Sequence, residues 1–281
     1  MTAKSNAVLF RTGDLESEIE ANICTSYITV VKQRSKCKNN IVIGRYSVLP
    51  YYNELEKDLH NNNSILINDF ESHLWIAQFE YYSELKEYTA KTWDSNTFPY
   101  EAPDDIAYVV KGKTNSMKQN WRELMFAKNK KEAIEVAIKL YKYPAIQQQG
   151  IIYREYIPLK TFYVCPYSGI RVTNEWRLFF LGEKLLVSGY YWSSFASTEI
   201  LEKANLSIEG LEFAQKCAKI AAKHVNFFVL DVAEKEDGDW ILVEMNDGQM
   251  SGLSDCNPHI LYDNLAKEFK KNTKEKEHVK Y

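Results

Sequence analysis

Apolar and polar positions alternate with two different periods along the first ninety residues. Short β-type runs, Ala7-Val8-Leu9-Phe10, Tyr27-Ile28-Thr29-Val30-Val31, Ile41-Val42-Ile43-Gly44 and Ile65-Leu66-Ile67, alternate with segments compatible with helix at 15–24, 51–59 and 71–88. Strands interleaved with helices predict a small α/β lobe with a largely parallel sheet. Residues 89–103 have little periodicity and carry Pro99 and Pro103, which marks a linker. A second lobe follows: strand 106–111, a small polar loop 112–118, strand 124–127, helix 131–141 and strand 150–157. Ala133, Ile134, Ala137, Ile138 and Tyr141 supply the helical spacing. A third lobe comprises a hairpin over 175–191, a helix over 207–224, a second hairpin and a closing helix after Pro258. The expected divisions are 1–92, 104–158, 159–266 and a charged tail, 267–281, read as a frayed helix or solvated segment.

The second hairpin carries the clearest chemistry. Phe227-Phe228-Val229-Leu230 and Ile241-Leu242-Val243 flank Asp237-Gly238, a strong hairpin signal. With Asp237-Gly238 as a two-residue turn, position 236 pairs with 239 and Asp231 falls opposite Glu244. Asn246 then shares their face, because side chains alternate with period two. The flanking apolar runs indicate strands buried on both faces, where opposed carboxylates are costly unless a cation lies between them. Three oxygen donors without His or Cys suit a hard ion such as Mg²⁺. The alternative is an exposed hairpin whose polar groups face water.

In the first hairpin, taking Gly182-Glu183 as the turn puts Arg177 opposite Ser188. Trp176, Leu178, Phe180, Leu185, Val187 and Tyr191 then form a core face. Arg177 lies mid-strand on the other, beside Glu175 and Phe179, suited to clamp phosphate oxygens or to pair with Glu175 at the surface. The segment Val109-Val110-Lys111-Gly112-Lys113-Thr114-Asn115-Ser116 is a strand ending in a lysine and a small loop, able to cradle phosphate or to form a solvated turn. It is not a P-loop: that motif needs glycine at 107, where Ala107 stands.

Composition sets limits. The chain has 281 residues, 45% of them hydrophobic and 14% aromatic, enough to bury one large domain or two to three lobes. A net charge of −3 offers no global electrostatic case for nucleic acid or an anionic membrane. Cys24, Cys37, Cys165, Cys217 and Cys256 are scattered and form no Cys-x-x-Cys, so reduced thiols in a cytoplasmic setting are expected. No apolar run approaches the roughly 20 residues of a membrane span.

Taken in order, these segments resemble the ATP-grasp superfamily over about residues 104–265: the strand ending at Lys111, the connector Glu155-Tyr156-Ile157, Glu175-Trp176-Arg177, Asp231, and the Glu-x-Asn of Glu244 and Asn246. The preceding lobe, with Gly44-Arg45-Tyr46-Ser47-Val48-Leu49-Pro50, is similar to the pre-ATP domain of a phage- and bacteria-encoded branch. The resemblance implies an α+β / α/β architecture in which two α+β lobes clasp ATP after a small α/β pre-ATP domain. It implies a carbon–nitrogen ligase that joins a carboxylate to an amine through an acyl phosphate and releases ADP and phosphate, with ATP and Mg²⁺ as cofactors. Lys111, Lys113 and Lys118 are then candidates for phosphate, and Glu155, Tyr156 and Ile157 for adenine. Arg177 would act on the transferred phosphoryl group, with Lys111 as the second catalytic candidate. Asp231, Glu244 and Asn246 would hold metal, and Asp247-Gly248-Gln249-Met250-Ser251-Gly252 would lie near the acceptor. The expected partners are a small-molecule or peptide carboxylate and amine. An early phosphate-binding lysine is missing near 78–82, leaving Lys86 or Lys91 as displaced candidates, or Lys113 or Lys118 as substitutes. Two further readings remain: an enzyme acting on a nucleic acid or nucleotide, with Lys36, Lys38 and Gly44-Arg45 as a basic entrance, and a nucleotide-binding regulator without turnover.

Overall fold

The computed structural model describes residues 4–278 apart from Thr12, Asp14, Ser47 and Leu49. Two positions of the Gly44–Pro50 motif, Ser47 and Leu49, therefore lie outside the described residues.

The chain begins with β1 (Ser5–Phe10), α1 (Leu15–Cys24), β2 (Thr29–Val31), β3 (Asn40–Arg45), α2 (Tyr52–Asn61) and β4 (Ile65–Leu66). The strands form an all-parallel sheet in the order β2-β1-β3-β4, as the alternating pattern predicts. The helix expected over 71–88 is instead two, α3 (Phe70–Ala77) and α4 (Tyr82–Leu85). Asp69 caps the first through the Ser72 amide. The break has a packing cause: Phe79 takes φ +68° and is buried among aromatic rings, ending the helix at Gln78.

Residues 89–103 are not simply a linker. They contain β5 (Thr92–Asp94) and α5 (Phe98–Glu101), followed by β6 (Tyr108–Gly112), α6 (Trp121–Leu124), β7 (Phe126–Ala127), α7 (Lys130–Leu140), α8 (Pro144–Gln149) and β8 (Ile151–Glu155). Strand β5 joins the second sheet, in the order β5-β8-β6-β7, with every pairing antiparallel. The inward face of α7 also differs from the expected one. Ala133, Val136, Ala137 and Leu140 are buried, whereas Ile134, Ile138 and Tyr141 are exposed, Ile138 by 62%. The buried stripe lies one step around the helix from the predicted one, where small residues let α7 approach the sheet.

The last part has a hairpin, β9 (Thr161–Val164) and β10 (Arg171–Thr173), then β11 (Glu175–Leu181), β12 (Lys184–Tyr190), α9 (Thr198–Lys203), α10 (Ile208–Ala221), β13 (Phe227–Glu234), β14 (Trp240–Asp247) and α11 (Pro258–His278). The segment expected to be a tail from 267 continues α11. Strands β12-β11-β13-β14 form an antiparallel sheet covered on both faces. Leu178, Phe180, Phe228 and Leu230 pack with α10 and with Trp75 and Ile76, while Phe179, Phe227 and Val229 pack with β1, β3 and α11. Double-sided burial explains the near-continuous apolar runs of β11 and β13. Among the described residues, no helix is long and apolar enough to cross a membrane.

Candidate functional site

Two irregularities in the third sheet set the site. Lys235 pairs with Asp239, so the β13–β14 turn is a three-residue loop with Gly238 at φ +92°, not the two-residue Asp237-Gly238 turn. This offsets the pairing near the turn, and Val232 faces Leu242. A bulge at Val243 then restores the register, and Asp231 does stand opposite Glu244. In the other hairpin the Gly182-Glu183 turn is as expected, but a bulge at Leu186 places Arg177 opposite Gly189 instead of Ser188. It also pairs Val187 with Phe179, moving Val187 to the face opposite Leu178. Gly189 is required there: a Cβ would lie 2.3 Å from the Cys256 amide nitrogen.

Arg177, Asp231 and Glu244 consequently form a row across β11, β13 and β14. Asp231 is wholly buried and receives Nε and Nη2 of Arg177 at 2.9 and 2.8 Å, while Nη1 of Arg177 donates to the Gly252 carbonyl at 2.8 Å. Glu244 accepts from Nζ of Lys111, which reaches over from β6. The protein's own cations thus neutralise the opposed carboxylates, which corrects the inference that their pairing demands a metal. Burial acts to raise the Glu244 carboxyl, but Lys111, Lys118 and Arg154 outweigh it and hold it at about 2. Burial lowers the Lys111 ammonium despite Glu244, so this lysine gains from any further negative charge. For Arg177 and Lys118 burial also opposes the charge. Asp231 and Glu175 respectively, joined by Tyr191, overcome it and raise both groups.

These groups border a cleft of about 930 Å³, continuous with solvent, between the second and third sheets. Its walls include Lys111, Lys118, Glu155, Tyr156, Ile157 and Glu244. Apolar Val109, Met125 and Ile241 face one another beside the 155–157 connector, a slot suited to a flat ring. Arg177 and Asp231 sit behind the cleft wall. Tyr191 links them to the cleft: its ring centroid lies 4.9 Å from the Arg177 guanidinium and 4.1 Å from Lys118 Nζ. Asn246 lies two residues beyond Glu244, half-buried and opposite Val229.

Some candidates are not brought together. The chain leaves β6 at Gly112, and the Lys113 amide bonds the Gly150 carbonyl, carrying that side chain beside Gly150 and Asp94, away from the cleft. Lys86 and Lys91 are exposed, with Lys91 over the Trp93 ring at 5.2 Å. Arg45 is not part of a basic entrance. It is buried, paired with Glu20, and donates to the Gly248 and Ser251 carbonyls at 2.6 and 2.8 Å. It therefore holds the 247–252 loop in place.

Glu175, quoted only as part of a motif, is a site feature the pattern did not identify. It is 3% exposed and lines the cleft. One oxygen accepts from the Trp192 indole at 2.9 Å, while Oε1 has no partner. Burial raises its carboxyl against the pull of Lys118. Its alternation with Trp176 and Arg177 placed it on the correct face, but its missing partner is visible only in three dimensions.

The family model for an ATP-grasp domain, clade family 3, matches residues 100–265. The chain belongs to this ATP-grasp family. The fold agrees with solved structures across nearly the whole chain. D-cycloserine synthetase DcsG superposes with a TM-score of 0.59 at 12% identity, over 94% of this chain and 99% of the other. D-alanine–D-alanine ligase from Bacillus anthracis, complexed with ATP, gives 0.55 at 11%, over 97% and 99%. The ATP-grasp ligase PsnB, complexed with a minimal precursor, gives 0.54 at 10%, over 96% and 99%. None of the curated proteins matches the chain. ATP-grasp structures similar to this one include complexes with Mg and ADP. Among the described residues no three His, Cys, Asp or Glu side chains are grouped to hold a metal. The donor chemistry nevertheless fits Mg²⁺: Asp231, Glu244 and Asn246 are hard oxygen donors on one strand face.

Proposed function

We propose that the protein is an ATP-dependent ligase that phosphorylates a carboxylate, joins the acyl group to an amine and releases ADP and phosphate. The observation that carries this reading is the convergence of Lys111, Lys118 and Glu244 in one cleft. The buried Arg177–Asp231 pair lies directly behind its wall.

The base enters the apolar slot against the 155–157 connector. Glu175 Oε1, an acceptor without a donor, takes a hydroxyl proton of the sugar. Lys111 and Lys118 bind phosphate oxygens, and the gain is large for Lys111 because burial disfavours its charge in their absence. As phosphate recruits Lys111, the Glu244 carboxylate is freed toward Asn246 and Asp231. Mg²⁺, held by these three, supplies charge neutralisation between the phosphates. Arg177 lies next in the row, positioned to stabilise charge on the transferred phosphoryl group, while its bond to the Gly252 carbonyl fixes the loop on which the acceptor is expected.

The test is Mg²⁺-dependent ADP release on presenting amino acids and peptides as paired substrates. Glu244→Gln and Asp231→Asn are expected to reduce release at least about 100-fold. Release at the parental rate by either folded variant overturns the metal assignment. Tight Mg·ATP binding with no ADP formation in any acceptor screen overturns the ligase reading in favour of a nucleotide-binding regulator.

A further inference from the structure

Arg154 has no place in the motifs described above, yet it is the least compensated charge in the cleft. It is 7% exposed and lines the cavity. Its guanidinium donates to the Val243 carbonyl, to Thr89 Oγ1 at 2.6 Å and to Thr92 Oγ1 at 3.3 Å, all uncharged acceptors. No carboxylate forms an ion pair with it among the described residues. A guanidinium has five N–H groups, so two are left for another partner. Burying a cation on neutral acceptors alone is expensive, and the usual compensation is an anion.

Its neighbours sharpen the point. In the β6–β8 register Val109 faces Arg154 and Lys111 faces Ile152, which makes Arg154 and Lys111 diagonal neighbours on one face of the sheet. Such positions are roughly 7–8 Å apart. From there they reach consecutive residues of β14, Arg154 to the Val243 carbonyl and Lys111 to the Glu244 carboxylate. Three cations, Lys111, Lys118 and Arg154, therefore meet with Glu244 and Glu175. The order outward from the connector is also fixed: Arg154 adjoins Glu155, Lys111 follows, and Glu244, Asp231 and Arg177 complete the row.

We infer that Arg154 is a nucleotide-contacting residue whose two unused N–H groups receive the phosphate nearest the nucleoside. This rests on reading the cleft as the nucleotide site. The bonds to Val243, Thr89 and Thr92 hold the guanidinium in position. Lys111 and Lys118 then serve the more distal phosphates, and the function assigned by resemblance to a lysine near 78–82 falls to an arginine on β8.

The experiment is calorimetric titration of the full chain with adenosine, AMP and ADP, for the parent, Arg154→Gln and Arg154→Lys. The parent is expected to bind AMP at least about 10-fold more tightly than adenosine, since a first phosphate meets a preformed cation. Arg154→Gln is expected to weaken AMP and ADP at least about 10-fold and adenosine less than about 3-fold, with partial recovery in Arg154→Lys. Equal weakening of adenosine and AMP, or no weakening of either, overturns the inference in favour of a lobe-tying or base-contacting role. Should Arg154→Gln fail to fold, the parent alone decides: AMP binding no tighter than adenosine is equally fatal. A parent that binds none of the three and no ATP refutes the nucleotide site itself, a separate outcome from a parent that binds ADP and adenosine without any dependence on Arg154.

Discussion

Removing Arg177 should cost far more than loss of one ion pair, because of what remains. Asp231 is wholly buried and both its oxygens are occupied by this one guanidinium. Arg177→Met leaves a carboxylate with neither water nor a donor, and breaking a buried pair in this way costs about 3–5 kcal/mol. At about 2–3 °C per kcal/mol for a chain of this size, the melting temperature should fall by roughly 6–15 °C. Arg177→Met combined with Asp231→Leu removes the stranded charge as well and should recover to within about 1–2 kcal/mol of the parent. Urea and thermal denaturation at neutral pH, followed by tryptophan fluorescence, give the double-mutant cycle directly. The expected coupling is at least about 2 kcal/mol. A loss below about 1 kcal/mol in Arg177→Met, or a double variant as unstable as the sum of the singles, refutes the stranded-charge argument. The double variant should stay inactive in ADP release even though it folds, which separates the pair's structural role from its proposed chemical one.

Two further outcomes follow from the same geometry. Glu244 titrates at about 2 in the folded protein, below the roughly 4.3 of an unfolded chain, so its stabilisation is present above that value and is lost as pH falls toward 2; Glu244→Gln should flatten that part of an acid denaturation curve and, by leaving the burial-lowered Lys111 ammonium unpaired, become more stable as pH rises. Gly189→Ala should lose at least about 2 kcal/mol, because the added carbon meets backbone that cannot rotate away, whereas Ile138→Lys on the exposed face of α7 should stay within about 0.5 kcal/mol in the same melting experiment.

Local regularities made much of the architecture legible. The interleaved runs before residue 70 gave the parallel sheet, and the Asp-Gly signal gave the hairpin and the facing of Asp231 with Glu244. That last reading reached the observed pairing through two departures that cancel, a longer turn and a bulge at Val243. No compensation occurs beside Arg177, where one bulge moves its partner from Ser188 to Gly189. Bulges and loop lengths depend on what packs against the sheet, here the 253–257 segment pressing onto Gly189, and the apolar pattern of a strand does not record that pressure.

What the sequence determined by itself is the set of elements and the face on which each polar residue lies, because period and turn chemistry are properties of neighbours in the chain. Only the tertiary structure decided which charges meet. Lys111 and Glu244 are 133 residues apart, Arg177 and Asp231 54, and Arg154 bonds to Val243 across 89. The energy of such pairs depends on distance and on the water excluded around them, which are set when two sheets close on one cleft.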